Sequence, residues 1–189
     1  MRYAPFRPLE TARLRLRKLE TGDVPLYFAR LGSSQRVTEH MLWVPHKDIS
    51  ESEASIRKAL SRYETGKFYR WAITTREENA IIGIIDLLRF DEDRGTCSFA
   101  YMLGEDFWGR GYGTEAVKAV LAFAFSEMEL EAVEADHFAE NPASGAVMCK
   151  AGMTCQGVAP GAYEKNGVQH DAPQYRITRE EWHRQNGQR

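Results

Sequence analysis

The sequence predicts an α+β fold in one domain spanning residues 1–189, and three observations carry that expectation. Three β-rich runs, "FYRWAITT", "AIIGIIDLLRF" and "TCSFAYML", are separated only by the turn-like "REEN" and "DEDRG", and connections that short make antiparallel neighbours. "EDFWGRGYGTEA" then sets Gly109, Gly111 and Gly113 at alternate positions directly before a helix-forming run. Finally, "TCQGVAPGAYEKNGVQHDAPQYRIT" surrounds a "KNG" turn and reads as a closing hairpin. At 189 residues and 43% hydrophobic, the chain is long enough to bury one sizeable core.

In order, "ARLRLRKL" alternates Leu14, Leu16 and Leu19 with basic residues, as a half-buried strand does. "TGDVPLYFARL" carries Val24, Tyr27, Phe28 and Leu31 at helical spacing, with Asp23 as N-cap and Pro25 tolerated in the first turn. "VTEHMLWVPHKDI" has no sustained period and reads as a loop. Ser50 and Glu53 have capping-box spacing before Ile56, Leu60 and Tyr63, which predicts a helix over 51–65. The meander follows. After the glycines, Val117, Val120, Leu121, Ala124, Phe125 and Met128 form one apolar helix face. "EAVEADHF" reads as a further strand, and "NPASGAVMCKAG" is a short helix capped by Asn141, with Pro142 at its first position and Gly152 past its end. A helical turn at "REEWHRQ" closes the pattern β-α-α-βββ-α-β-α-ββ.

A net charge of −2, from 25 Lys and Arg against 27 Asp and Glu, gives no electrostatic reason to expect nucleic acid or anionic lipid as a partner. Cys97, Cys149 and Cys155 lack zinc-like spacing and are odd in number, so buried free thiols are expected, with no metal site. No segment approaches ~18 apolar residues, and "MRYAPFRPLE" lacks a secretory hydrophobic core, so no membrane partner and a cytoplasmic location are expected.

A strand, a glycine-rich turn and a helix form an anion site, because the first amides of a helix lack intrahelical acceptors and carry the positive end of its dipole. The run G-R-G-Y-G-T from 109 to 114 lacks the G-K-[ST] ending of a nucleoside-triphosphate loop. It also has Thr114 where the dinucleotide fingerprint needs its sixth-position glycine, and a meander where that fingerprint needs a βαβ unit. Two readings stay open on spacing alone: a pyrophosphate held on amides without a metal, and a tight turn that merely starts a helix.

"LETARLRLRKLETGD", "YMLGEDFWGRGYGTEAV", "NPASGAVMCKAG" and "YRITREEW", in this order, resemble the GCN5-related N-acetyltransferase (GNAT) superfamily, in particular its RimJ/RimL-like branch of ribosomal-protein N-terminal acetyltransferases. The resemblance covers nearly the whole chain. It implies a mostly antiparallel mixed sheet flanked by helices, with the family's fourth and fifth strands splayed apart, and acetyl-CoA as co-substrate. It assigns the amides of Gly109, Arg110, Gly111, Tyr112, Gly113 and Thr114 to the pyrophosphate, with Arg110 adding charge at the rim. Gly111 and Gly113 match the last two signature positions, while Trp108 stands where the family usually has Gln or Arg. Met102 and Leu103 would lie beside the thioester, Asn141 on the cofactor arm, and Ser144 near the sulfur as general acid. Asn141 as a plain N-cap and Ser144 as an ordinary first-turn residue are the local alternative. The position where many relatives place an acidic Tyr is Met148.

Acetyl transfer also needs a base, because an α-amino group has a pKa of ~8. The third meander strand carries Ser98 where many relatives have Glu, which leaves His137, Glu134, Asp136 and His40 as candidates; His137 is nearest the expected thioester and titrates in the useful range. The resemblance places the acceptor amine, a protein N-terminus or a small molecule, near "HMLWVPH", with His40 and Trp43 as walls. Met41, Leu42 and Trp43 read equally well as a plug in the core. A homodimer through the closing hairpin and a non-catalytic acyl-CoA-binding module also stay open.

Overall fold

The computed structural model describes residues 1–187, so the last two residues of the expected domain lie outside the described residues. Eight strands form one sheet: β1 Leu9–Glu10, β2 Leu14–Arg17, β3 Tyr69–Thr75, β4 Ile81–Asp91, β5 Thr96–Leu103, β6 Ala132–Asp136, β7 Thr154–Lys165 and β8 Val168–Thr178. Their order is β1-β2-β3-β4-β5-β6-β8-β7. Every pair is antiparallel except β5 and β6, joined through the crossover helix α4, Tyr112–Ser126 when helices are numbered in chain order. The meander is as expected, and β4 stays paired with β5 as far as Gly83↔Leu103.

The parallel pair behaves differently. It holds only at Thr96↔Ala132, Cys97↔Val133 and Ser98↔Glu134. Past Ser98 the two strands separate, β5 continuing to Leu103 along β4 alone, and this splay opens a slot in the middle of the sheet.

The remaining helices are α1 Val24–Tyr27, α2 Gln35–Thr38, α3 Ile49–Arg62, α5 Pro142–Lys150 and α6 Arg179–Asn186. Strand side chains alternate between the two faces of the sheet. Ile82, Ile85, Phe99 and Leu103 pack with Val117, Val120, Leu121 and Phe125 of α4, the predicted apolar face. Ile84 and Met102 pack on the opposite face with Tyr27, Leu31, Ile56 and Ala59 of the early helices.

Several local expectations change. Asp23 stands at the N-cap position of α1, as expected, but its side chain makes no cap bond there: it is buried and bidentate to Arg17 at 2.7 and 2.8 Å, a pair whose disruption costs about 3–5 kcal/mol. α1 lasts one turn and passes into a π turn over Phe28–Gly32. α3 starts earlier than expected because Asp48, not Ser50, is its cap, accepting from the Ser50 amide at 2.8 Å; Glu53 pairs instead with Arg57. Of the three free thiols only Cys97 is buried, and burial pushes its pKa up to about 12; Cys149 and Cys155 are exposed. The closing hairpin turns through Asn166 and Gly167, both left-handed at φ 54° and 78°, as a two-residue turn requires.

Candidate active site

A cleft of about 1010 Å³ runs from the start of α4, past the splay, to the loop after α2 and the tip of the β7–β8 hairpin. Met102, Leu103, Gly109, Gly111, Tyr112, Gly113, Thr114, His137, Asn141, Ser144, His40 and Trp43 all line it, while Arg110 lies outside the lining.

At the α4 end the walls are backbone. Gly109 and Gly111 are left-handed at φ 70° and 80°, and Gly111 is the N-cap of α4 with no side chain closing it. The first helical bond, from the Glu115 amide to the Gly111 carbonyl, leaves the amides of residues 109 to 114 without an acceptor among the described residues. Unsatisfied donors at the positive end of a 15-residue helix make a site for an anion. Gly113 serves packing: a Cβ there would sit 3.3 Å from Tyr101 and 3.5 Å from Val147, so the missing side chain lets α4 approach β5 and α5.

This end has a brace that the sequence reading did not find. Arg13, in the turn before β2, bonds Glu115 at 2.6–2.7 Å, donates to the Arg110 carbonyl at 2.9 Å and lies over the Tyr112 ring at 4.6 Å. Glu115 also accepts from Thr11 Oγ1 at 2.6 Å. Burial pushes the Glu115 carboxyl up, yet the hydrogen bonds from Thr11 and Arg13 outweigh it and hold the group below the ordinary glutamate value. The Trp108 indole donates to the Leu103 carbonyl at 2.7 Å, tying the loop to the end of β5, and Arg36 lies 5.3 Å over its exposed ring. Trp108 is therefore a strut rather than an anion ligand.

Past the loop, α5 begins beside the splay. Asn141 caps it, its Oδ1 accepting from the Ser144 amide at 3.3 Å, and Pro142 fills the first position as expected. Ser144 is buried, 9% exposed. The Tyr101 phenol beside it is raised by burial, with a hydrogen bond from Ser144 acting the other way. Met102 and Leu103 are buried with side chains on opposite faces, so their contribution to the cleft is largely main chain.

Alternation along β6 separates two neighbours. His137 turns toward α5, against Gly145 and 5.6 Å from the Tyr175 ring. Its Nδ1 lies 2.7 Å from the Phe138 carbonyl, which can only accept, so Nδ1–H is the donor of that bond. The ring's Nε2 is buried without a partner. Asp136 turns to the opposite face, where it meets Arg89 at 3.0 Å and the Tyr163 hydroxyl. Glu134 pairs with Arg94 and Arg176 at 3.6 and 3.8 Å and is not part of the lining.

The far end is built of side chains from distant segments. Arg70 and Asp86, opposite one another on β3 and β4, form a bidentate pair at 2.7 Å on its floor. Trp43 packs on His46 at 5.1 Å and His40 on Phe138 at 6.0 Å. The hairpin tip folds over from the other side: Tyr163 stacks on Phe138 at 4.6 Å, and the Lys165 ammonium donates to the Thr38 and Glu39 carbonyls at 2.7 and 2.8 Å. Burial lowers the Lys165 pKa against the opposing charge of Glu39.

Comparison with known proteins agrees with this arrangement. Residues 13–154 match the family model described as the acetyltransferase (GNAT) domain. The chain is 30% identical over 136 residues, 72% of its length and 76% of the relative's, to a Bacillus licheniformis protein named uncharacterized N-acetyltransferase p20. In fold it is similar to RimL, a ribosomal L7/L12 α-N-protein acetyltransferase solved with coenzyme A, at TM-score 0.80 and 18% identity over 91% of this chain and 98% of that one. It is also similar to a spermidine N-acetyltransferase from Vibrio cholerae solved with CoA and spermine, at TM-score 0.77 and 18% identity over 91% and 99%. A glycine loop of unsatisfied amides, a parallel strand pair that opens after three residues and a capped helix beside the opening thus stand in a chain that belongs to the GNAT family, the acetyl-CoA-dependent N-acetyltransferases.

Proposed function

We propose that the chain transfers the acetyl group of acetyl-CoA to a primary α-amine, with a protein N-terminus as the preferred acceptor. The observation that carries the reading is the row of unpaired amides from 109 to 114 opening into the same cleft as the β5–β6 splay. Free donors at one end suit a pyrophosphate, and an unpaired strand edge beyond them suits a long, thin cofactor arm. The α-N-protein acetyltransferase that shares the fold supports the choice of acceptor.

The chemistry assigned to the residues is direct transfer. The amine nitrogen bonds to the thioester carbonyl carbon, the carbon–sulfur bond breaks, and the departing thiolate takes a proton from the Ser144 hydroxyl. Of the main-chain N–H groups at Met102 and Leu103, the register turns that of Met102 to β4 and that of Leu103 to the splay, and the latter stabilises the intermediate oxyanion. The amine proton leaves to a base, and two acceptors stand beside the splay: the free Nε2 of His137 in the α5 wall and the Asp136 carboxylate on the other face. Asn141 and Gly109 to Thr114 hold the cofactor, Arg110 adds charge from outside the lining, and His40 and Trp43 line the acceptor end.

A second reading, a small-amine acceptor, draws on the Lys165 roof, which narrows the far end. Thiol release from acetyl-CoA, with mass detection of product, separates the readings when run with α-amine peptides, a blocked peptide bearing only a lysine amine, and spermidine. The proposal expects α-amine peptides to turn over fastest. Thermal stabilisation by CoA with no turnover on any amine would instead mark a binding module.

A further inference from the structure

The far end of the cleft carries a feature that acetyl transfer to a plain amine does not need. β4 loses register between Leu88 and Asp91, and inside that irregularity Arg89 adopts a left-handed backbone at φ 53°. A non-glycine residue held there is strained, and such irregularities redirect side chains beside functional sites. Here the redirected side chain is a guanidinium. It reaches over the sheet to Asp136 of β6, 47 residues away, just past the last paired residue of the splay. Nη1 is engaged on Asp136 at 3.0 Å and the Tyr163 hydroxyl takes a further hydrogen bond from the guanidinium, yet the five-donor fork keeps spare N–H groups and the side chain is 55% exposed in the cleft lining. Nearby, Arg70 uses Nε and Nη2 on Asp86 and leaves Nη1 without an acceptor among the described residues. Two guanidiniums with spare donors are a poor surface for a polycation and a good one for a carboxylate, which guanidinium binds in charge-assisted pairs. Asp136, held between Arg89 and Tyr163, supplies the opposite charge at the splay, where an ammonium would arrive.

Resting on the acyl-transfer reading above, we propose that Arg89 makes this enzyme select acceptors that carry an anionic group beside the amine, of the carboxylate class, with the amine toward Asp136 and the anion on Arg89. The anion can come from the terminal carboxylate of an amino acid or from an acidic side chain near a peptide N-terminus. The same pairing disfavours polyamines.

The test is equilibrium binding to the CoA-loaded protein, a readout that does not depend on turnover. The ligands are a free amino acid and its amide, Ser-Asp-Ala and Ser-Asn-Ala as terminally amidated peptides, and spermidine. At least one acid-bearing member should bind roughly tenfold or more tightly than its neutral twin, the worth of one charge-assisted hydrogen bond. Whichever pair shows the preference identifies the source of the anion. Arg89→Gln should erase the preference while leaving CoA affinity unchanged, and Arg89→Lys should restore part of it. Equal binding of twins, tighter binding of spermidine, no binding by any member, or a preference that survives Arg89→Gln would overturn the proposal. Lack of turnover despite the preference would count against acetyl transfer and leave the acceptor-class assignment standing.

Discussion

The two ends of the cleft solve recognition in different ways. At the α4 end the ligand-facing groups are main-chain amides, organised by glycines within six residues of one another. At the far end they are side chains drawn from β3, β4, β6, the loop after α2 and the hairpin tip. Backbone recognition is indifferent to side-chain identity but strained by a bulky or β-branched side chain at a left-handed position. Side-chain recognition is the reverse, tolerant of backbone and sensitive to each charge. The first suits a cofactor common to a family and the second an acceptor that differs between members.

The sharpest way to break the contrast is Gly111→Val. A β-branched residue at φ 80° is strained, and its Cβ would also lie 3.4 Å from Arg13. Affinity for CoA, measured by calorimetry, should fall about a hundredfold or more, the equivalent of ~3 kcal/mol. Unchanged affinity would remove the amide row from cofactor binding.

Ser144→Ala probes the junction of the two ends. A lost general acid costs on the order of 10²-fold or more in kcat, while CoA affinity should stay within about threefold. Equal losses in both would reduce Ser144 to a cofactor contact.

Glu115→Gln tests the brace under the loop. Because the Glu115 pKa is held below its ordinary 4.5, the stabilisation is fully present above that value and is lost as pH falls through the lowered one. The melting temperature of the variant should therefore lie below that of the parent at pH 7, by an amount corresponding to ~1–2 kcal/mol, and the gap should close in acid. A gap independent of pH would assign the effect to packing.

The same contrast explains what could be read in the sequence. The α4 loop, the Asn141 cap, the meander and the closing turn are local devices, written within a few residues by Gly, Pro and Asn placement. The supports are not local: Arg13 meets Glu115 102 residues away, Arg89 meets Asp136 47 away, and Lys165 meets Thr38 127 away. Nothing in the spacing of a lone Arg or Lys announces such a partner. Parity was available and went unused. Strand alternation puts Val133, Ala135 and His137 on one face of "EAVEADHF" and Glu134, Asp136 and Phe138 on the other, which separates His137 from the side where Asp136 and Arg89 meet. At Asp23 the cap position holds while Arg17 takes the carboxylate, and at Ser50 the cap assignment fails because Asp48 prevails for the helix start.

The account's central claim, that one end of the cleft holds the cofactor and the other the acceptor, is tested most directly by initial rates with both substrates varied in two variants. Lys165→Ala removes the bonds that hold the hairpin tip to the Thr38 and Glu39 carbonyls and touches no residue of the glycine loop. It should raise KM for the amine several-fold and leave KM for acetyl-CoA unchanged, while Gly111→Val should do the opposite. Both variants shifting both constants together would contradict the division.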